Sequence, residues 1–408
     1  MKSAATAAGT VQTATGSGHV ASRGLTALLT TAMAFSMMQL FLLGALGPRL
    51  VVGLGVSETL LGLTTTVGFG TAAVLSPVGG RIVDRVGPRR ALVVLLAVSA
   101  AALVLIGAAP GPAFLLAAVA LGGFPQALAN PATNKAILAA VPGARRGAVT
   151  GAKQSGVQLG AFAAGLPLAA AAGVLGWRGA VWVAAGAALA AALWAWRALP
   201  AGPPPRYGTV PRMPSPPGGP VPWLAGFSFF LGAGIASVNT YLALFGAQRL
   251  GMGPVVAGAL VAVLGVAGIA GRIGWSRAAT PGRAPWFPGL LAGGAVGAAA
   301  LLVAACRLGP LVWVAAVAVG VFAVSGNAVS MVLVMQRSAP GCAGRDSALV
   351  SAGFFAGFAV GPPLFGRLAE HGRYGGGWVL VAAEFAVAAA VAFVWAVRDR
   401  RTGQGGVA

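Results

Sequence analysis

Twelve apolar runs follow one another between residues 25 and 397, each close to the ~20 residues that carry an α-helix across a bilayer, and most of the charge lies between them. In hydrocarbon a backbone N–H or C=O has no water to bond. Lone segments of this length therefore become helices, which satisfy every backbone group internally. The runs fall at 25–47, 57–79, 91–109, 112–138, 150–174, 177–199, 222–248, 253–275, 286–306, 310–336, 346–369 and 376–397. Glycine and proline recur within them, as membrane helices tolerate. Only 8% of the residues are charged, against about 25% in a soluble domain, so the chain cannot cover a water-facing surface. The expected fold class is an all-α integral membrane protein in contact with a lipid bilayer.

Charge sets the orientation. The densest cluster is Gly80-Arg81-Ile82-Val83-Asp84-Arg85-Val86-Gly87-Pro88-Arg89-Arg90, with four arginines and an aspartate between the second and third runs. With the N-terminus inside, 21 of the 27 lysines and arginines fall on the cytoplasmic face; Arg49, Arg178, Arg249, Arg307, Arg367 and Arg373 fall outside. Such asymmetry orients membrane proteins with the basic loops in the cytoplasm, so both termini are expected there. A net charge of +21 would point to nucleic acid in a soluble chain. Here topology accounts for it, and no nucleic-acid partner is expected.

Residues 1–24 lack the apolar core of a signal peptide and read as a disordered cytoplasmic tail. Residues 25–199 and 222–397 each hold six runs. The connection 200–221, with Pro203, Pro204, Pro205, Pro211, Pro214, Pro216, Pro217 and Pro220, reads as a semi-rigid cytoplasmic linker. Residues 398–408 form a cytoplasmic tail. The halves repeat. Gly80-Arg81-Ile82 recurs as Gly271-Arg272-Ile273, and Asn130 with Asn327, Gly156 with Gly353 and Gly160 with Gly357 share one offset of 197 residues. The second copy of the charged cluster has Trp275 where the first has Asp84.

The polar residues inside the runs are the candidate chemistry. Gln126, Asn130 and Asn134 lie at i, i+4, i+8 on one helix face. Amides are costly against lipid unless they line a cavity or stitch helices together, and both roles are open to them. Gln154 and Gln158 share a face in the fifth run, and Gln39, Asn239, Tyr241 and Asn327 are further cavity candidates. Phe358 could stack on a substrate, although core packing also explains it. Gly156 and Gly160, and Gly353, Gly357 and Gly361 followed by Pro362, are small-residue stripes suited to close helix packing and bending during gating. Glu384 is the one acidic residue well inside a run, a possible proton site or a locally paired carboxylate. Cys306 and Cys342 are expected on opposite faces, which forbids a disulfide. No metal-ligand spacing and no phosphate-cradling loop is present, so neither metal nor cofactor is expected. An enzyme would need an intramembrane nucleophile and base, and a receptor usually adds a signalling domain; neither is visible.

The cluster at 80–90 resembles the loop between the second and third helices of the major facilitator superfamily of transporters, roughly G-x-L-A-D-R-x-G-R-R-R, with Pro88 where the family more often has a basic residue. The resemblance implies twelve helices in two pseudo-symmetric six-helix bundles, alternating access to a central cavity, and a bacterial inner-membrane monomer. It also implies that Gly80, Asp84, Arg85, Gly87, Arg89 and Arg90 form a conformational latch favouring the outward-open state. The alternative for the arginines is that they only set topology. Lys153-Gln154-Ser155-Gly156 and Asn130-Pro131 resemble bacterial members related to cyanate and small-anion uptake. No carboxylate lies away from the ends of the runs that border the cavity in the family, so the expected substrate is a small neutral or anionic organic solute, moved with possible proton coupling. Efflux of a hydrophobic compound is the alternative.

Overall fold

The computed structural model describes residues 14–199, 219–278, 284–337 and 343–404. The first thirteen residues, most of the proline-rich linker, Cys342 and the side chains of Arg81 and Asp84 lie outside the described residues. In chain order the helices are α1 (Ala14–Ala45), α2 (Gly47–Leu54), α3 (Glu58–Val86), α4 (Pro88–Ala108), α5 (Pro112–Ala140), α6 (Gly143–Ala163) and α7 (Ala169–Ala198) in the first half. The second half holds α8 (Val221–Arg249), α9 (Pro254–Ala278), α10 (Phe287–Ala305), α11 (Leu311–Val319), α12 (Ser325–Arg337), α13 (Ala343–Glu370) and α14 (Tyr374–Gln404).

Eleven described stretches are long and apolar enough to span a membrane. One of them, Ala148–Ala198, is 51 residues long and is broken at Gly176, whose φ of 71° and ψ of 168° leave the helix. Only glycine takes such a backbone without strain, and the chain reverses there. That stretch therefore crosses twice, and the described residues hold twelve crossings. The turn sits where the sequence separates its fifth and sixth runs. Two crossings contain a single π-helical turn: Ala164–Leu168, which includes Pro167, joins α6 to α7, and Gly320–Val324 joins α11 to α12. Such bulges bend a helix and leave carbonyls free.

The helix ends follow from local chemistry. The Ser57 hydroxyl accepts from the Leu60 N–H at 3.2 Å and caps α3. At its other end Gly87, with φ 81°, ends α3 and admits Pro88 as the first residue of α4. Turns at 87 and 141–142 share one side with the described helix ends at Ala198 and Val221, here the basic face. Turns at 46–57, 109–111, 176, 250–253, 306–310 and 371–373 share the far face. Two far-face arginines act as caps: Arg178 donates to the Gly107 and Ala109 carbonyls, both at 2.8 Å, and Arg49 donates to the Ala172 carbonyl. Helix C-termini carry partial negative charge, and a guanidinium answers it.

Within each half one glycine stripe brings two helices to backbone contact. A Cβ on Gly156 or Gly160 of α6 would strike the Thr30 or Ala34 carbonyl of α1. A Cβ on Gly353, Gly357 or Gly361 of α13 would strike the carbonyls of Ala225, Phe229 and Ala233 of α8. The repeat seen in the sequence is thus a repeated joint, first helix to fifth in one half and seventh to eleventh in the other. Pro131 has no N–H for the Ala127 carbonyl one turn back, and that carbonyl lies against Gly79 of α3.

The halves meet along a seam. α3 packs on α13 and α8, α1 on α8, and α6 on α9. By contrast, α5 packs on α1, α3, α4 and α6, and α12 on α8, α9, α10 and α13, each inside its own half.

Candidate functional site

The contacts that join the halves concentrate between the far face and mid-depth. The Tyr241 hydroxyl donates to the Glu58 carbonyl at 2.6 Å, and its ring stacks on Phe365 with centroids 4.5 Å apart. The Gln248 amide donates to the Glu58 carboxylate at 2.9 Å, and Tyr374 donates to the Gln248 carbonyl oxygen. Glu370, at the end of α13, accepts from the Thr59 N–H at 3.2 Å and so caps α3 from the other half. Deeper in, Thr66 donates to the Ala359 carbonyl at 2.6 Å, and the Thr65 and Thr240 hydroxyls lie 3.1 Å apart. Phe69 of α3 closes the mid-depth seam against Phe358 and Phe355, at centroid distances of 4.6 and 5.8 Å. Gly44 and Gly62 let backbones touch here: a Cβ on Gly44 would strike the Asn239 carbonyl, and one on Gly62 the Pro362 carbonyl and the Tyr241 hydroxyl.

Toward the basic face the polar groups gather on α5, α6 and α9. The Lys153 Nζ, fully buried, donates to Thr133 Oγ1 and Asn134 Oδ1, both at 2.6 Å. Gln154 donates to Asn130 Oδ1 at 3.3 Å, and its backbone carbonyl accepts from Arg272 Nη1 of α9 at 3.1 Å. Asn134 is exposed, and Asn130, Gln154 and Asn327 are half-buried. The Asn327 side-chain oxygen is buried without a partner.

The remaining candidates are placed differently. Gln39 and Gln126 are buried in the first half; Gln39 donates to the Val119 carbonyl at 3.4 Å, while its oxygen and both amide atoms of Gln126 have no partner. A small cavity lies beside the Gln39 side chain, bordered by Thr64, Thr65, Gly68, Phe69 and Val119. The Asn239 amide turns back on its own helix to the Ile235 carbonyl at 2.9 Å. Gln158 is buried with its oxygen unpartnered, near Gly268. Phe358 is buried between Phe69 and Phe354. Glu384 is buried in α14 on the stripe shared with Val381, Phe385 and Ala388, and its Oε2 has no partner.

In the charged cluster, Arg85 and Arg90 are exposed. Arg89 lies over Trp196 of its own half, 4.7 Å from the ring centroid, and donates to the Trp196 carbonyl. Gly80 has open space where a Cβ would stand. Sequence reasoning did not single out Glu58, Gln248, Glu370, Tyr374, Thr133 or Arg272 as site residues. The signal for the first four was available: polar residues at the far ends of helices that must face each other once the two sixes are paired.

Two six-helix halves related by a repeat, joined along a polar seam at one face and lined with amides toward the other, define an integral membrane transporter rather than an enzyme. The family model of the Major Facilitator Superfamily matches residues 28–349, and the chain belongs to that family. No curated protein matches the sequence. Among solved structures the chain is similar to a bacterial homologue of the human lysosomal transporter Spinster. The inward-facing, occupied form superposes with a TM-score of 0.73 at 17% identity, covering 93% of this chain and 96% of that one. The inward-facing, unoccupied form gives 0.71 at 17% identity, covering 91% and 96%. At this identity the likeness is one of fold.

Proposed function

We propose that this protein is a secondary transporter of a small neutral or anionic organic solute, working as a monomer in a bacterial inner membrane. Its basic face and both chain ends lie in the cytoplasm. On this reading the present state is closed outward by the Tyr241–Glu58, Gln248–Glu58 and Glu370–Thr59 contacts and open inward between α5 and α12. Both Spinster-homologue structures carry inward-facing descriptions, in keeping with that assignment.

The observation that carries the substrate class is the composition of the inner wall. Asn130, Asn134, Gln154 and Asn327 offer amides to the pathway, and Lys153 is buried behind them against Thr133 and Asn134. The helices bordering it, α1, α5, α6, α8, α11, α12 and α13, contain no Asp or Glu away from their ends. A dehydrated organic cation needs a buried carboxylate to replace its water, whereas amides serve neutral and anionic groups alike. Proton coupling, in this scheme, runs through Glu384, the substrate itself or a residue at the mouth.

Efflux of a hydrophobic compound is the second reading, favoured by the Phe69, Phe354, Phe355 and Phe358 cluster at the seam. Proteoliposomes tested with radiolabelled neutral, anionic and cationic solutes decide. Saturable movement of a neutral or anionic solute is expected. Saturable transport of tetraethylammonium that survives Glu384→Gln would overturn the reading.

A further inference from the structure

We propose that Lys153 is a proton-binding site in the fifth crossing: its amine is neutral in the present arrangement of the halves, and uptake of a proton favours the opposite arrangement. The inference rests on the secondary-transporter reading above and deepens it by naming the group, near the basic-face mouth, that carries the proton.

The surroundings are the first argument. Lys153 lies within the apolar stretch Ala148–Ala198 and is fully buried. A charge taken out of water is costly unless an opposite charge answers it. None is at hand. α6 packs on α1, α5, α9 and the π-helical turn at Ala164–Leu168. From Leu25 onward α1 has no charged residue, and the turn has none. The charged residues of the other elements are all cationic: Lys135 on α5, Arg145 and Arg146 on α6 itself, Arg272 and Arg277 on α9. Among the described residues Lys153 forms no ion pair.

The count of donors is the second. An ammonium group has three N–H donors and no acceptor; a neutral amine has two donors and a lone pair. The Lys153 Nζ meets two acceptors, Thr133 Oγ1 and Asn134 Oδ1, both at 2.6 Å. Thr133 gives its own proton to the Ala129 carbonyl at 2.6 Å, so toward the lysine its oxygen accepts. Two acceptors fit the neutral amine, and a third N–H in this buried place would go unmet at a cost. The site also has a route for the proton. Asn134 is exposed, which brings water to the far side of the amide that Nζ bonds. The lone pair takes a proton from a hydronium ion, leaving water and an ammonium group, and returns it by the reverse step. The turn that bears the lysine is held from two sides. Thr30 of α1 donates to the Ala152 carbonyl at 3.3 Å, and Arg272 of α9, in the other half, donates to the Gln154 carbonyl at 3.1 Å. A charge on Lys153 therefore repels a cation through which the other half grips that turn. An arrangement that wets the amine or supplies a third acceptor binds the proton more tightly, and protonation shifts the halves toward it.

The test begins with Lys153 in place. The chain has only three lysines, Lys2, Lys135 and Lys153. Purified full-length protein carrying lysine labelled with carbon-13 at Cε therefore gives three lysine signals by nuclear magnetic resonance in detergent, assigned with Lys2→Arg and Lys135→Arg. Across a pH series the Lys153 signal should hold the neutral-amine position at pH values where Lys2 still shows the ammonium one. An ammonium signal for Lys153 wherever Lys2 has one would overturn the site. The second arm reads the halves. Spin labels at Val52 and Leu308, exposed on the far face in opposite halves, are placed in a chain with Cys306→Ser and Cys342→Ser. On acidification the ratio of far-open to far-closed molecules should rise roughly fivefold or more in the parent, the low end of ordinary coupling between sites, and less than about twofold in Lys153→Met. Glu58, Glu370 and His371 at the far face also titrate, but both chains share them, so the difference belongs to Lys153. Equal shifts in the two chains, or a shift toward the far-closed form, would overturn the coupling. Neither arm needs a substrate. Saturable transport of a neutral or anionic solute with both arms failing would sink the proton site and leave the broader reading standing. Success of both arms without saturable transport of any solute would sink that reading and keep the site.

Discussion

At the scale of the residue, the far-face gate is held by neutral hydrogen bonds and by carboxylates that accept them. Tyr241 is a clean probe, because Tyr241→Phe keeps the ring stacked on Phe365 and removes only the bond to the Glu58 carbonyl. A neutral bond contributes about 0.5–1.5 kcal/mol net, so the ratio of far-open to far-closed molecules should rise roughly two- to tenfold. Spin labels at Val52 and Leu308, both highly exposed on the far face in opposite halves, would report a larger long-distance population by electron paramagnetic resonance. An unchanged distribution would mean that this bond does not hold the gate. Tyr241 also shows where sequence reading stops. Its pattern places it on a helix that borders the cavity, but not which group its hydroxyl meets, because that group belongs to the other half. Arg272 presents the same difficulty in another form. In the chain it sits near the end of the apolar run 253–275, in a copied Gly-Arg-Ile motif, and counts as one more basic-face charge; only packing reveals that it bonds the Gln154 carbonyl of the other half.

At the scale of the element, two glycine-lined joints, α1 with α6 and α8 with α13, let helices approach so closely that backbone meets backbone. Without a hydrophobic force between helices in lipid, such contact is what holds them. Gly357→Val would drive a branched side chain into the Phe229 carbonyl, and overpacking of this kind costs about 1–3 kcal/mol. Its unfolding temperature, followed by tryptophan fluorescence in detergent, should fall by a few degrees. Gly293→Val, at an exposed position with nothing within 4 Å of its would-be Cβ, should stay close to the parent. Equal behaviour of the two would remove the joint from the account. These elements were the most legible part of the chain: length and hydropathy mark each crossing, and the 197-residue offset alone pairs Gly156 with Gly353. The π-helical turn at Gly320–Val324 was not legible, since it contains no proline and is set by the close approach of Gly320 to the backbone of α9. The direction of the Asn239 amide was equally hidden, because a bond to its own helix and a turn toward a cavity differ only in rotamer.

At the scale of the whole molecule, the two halves can be joined at one face or the other. In the present arrangement most of the polar bonds between them lie toward the far face, although α6 and α9 also meet nearer the basic face; on the proposed reading, the latch of the opposite state is then disengaged. The cluster at 80–90 stands at the basic face, where Arg89 rests on Trp196 of its own half. Asp84 lies in the last turn of α3, one residue short of the basic Arg85 and just ahead of the Gly87–Pro88 step into α4. On the proposed latch reading, its carboxylate would gain from the N-terminal end of α4 and would bond an arginine of the other half once the basic face closes. Hydrogen bonds to charged groups contribute about 1.5–3 kcal/mol, so Asp84→Asn should depopulate the state closed at the basic face by roughly tenfold or more. On the proposed reading, substrate contacts lie deeper, among the amides of α5 and α6, and should be left intact. Initial uptake rates in proteoliposomes, measured across substrate concentrations, should therefore show turnover reduced about tenfold with KM changed much less. Equal loss in both would place Asp84 at the binding site itself, and normal turnover at normal membrane insertion would leave it only the task of marking the cytoplasmic face.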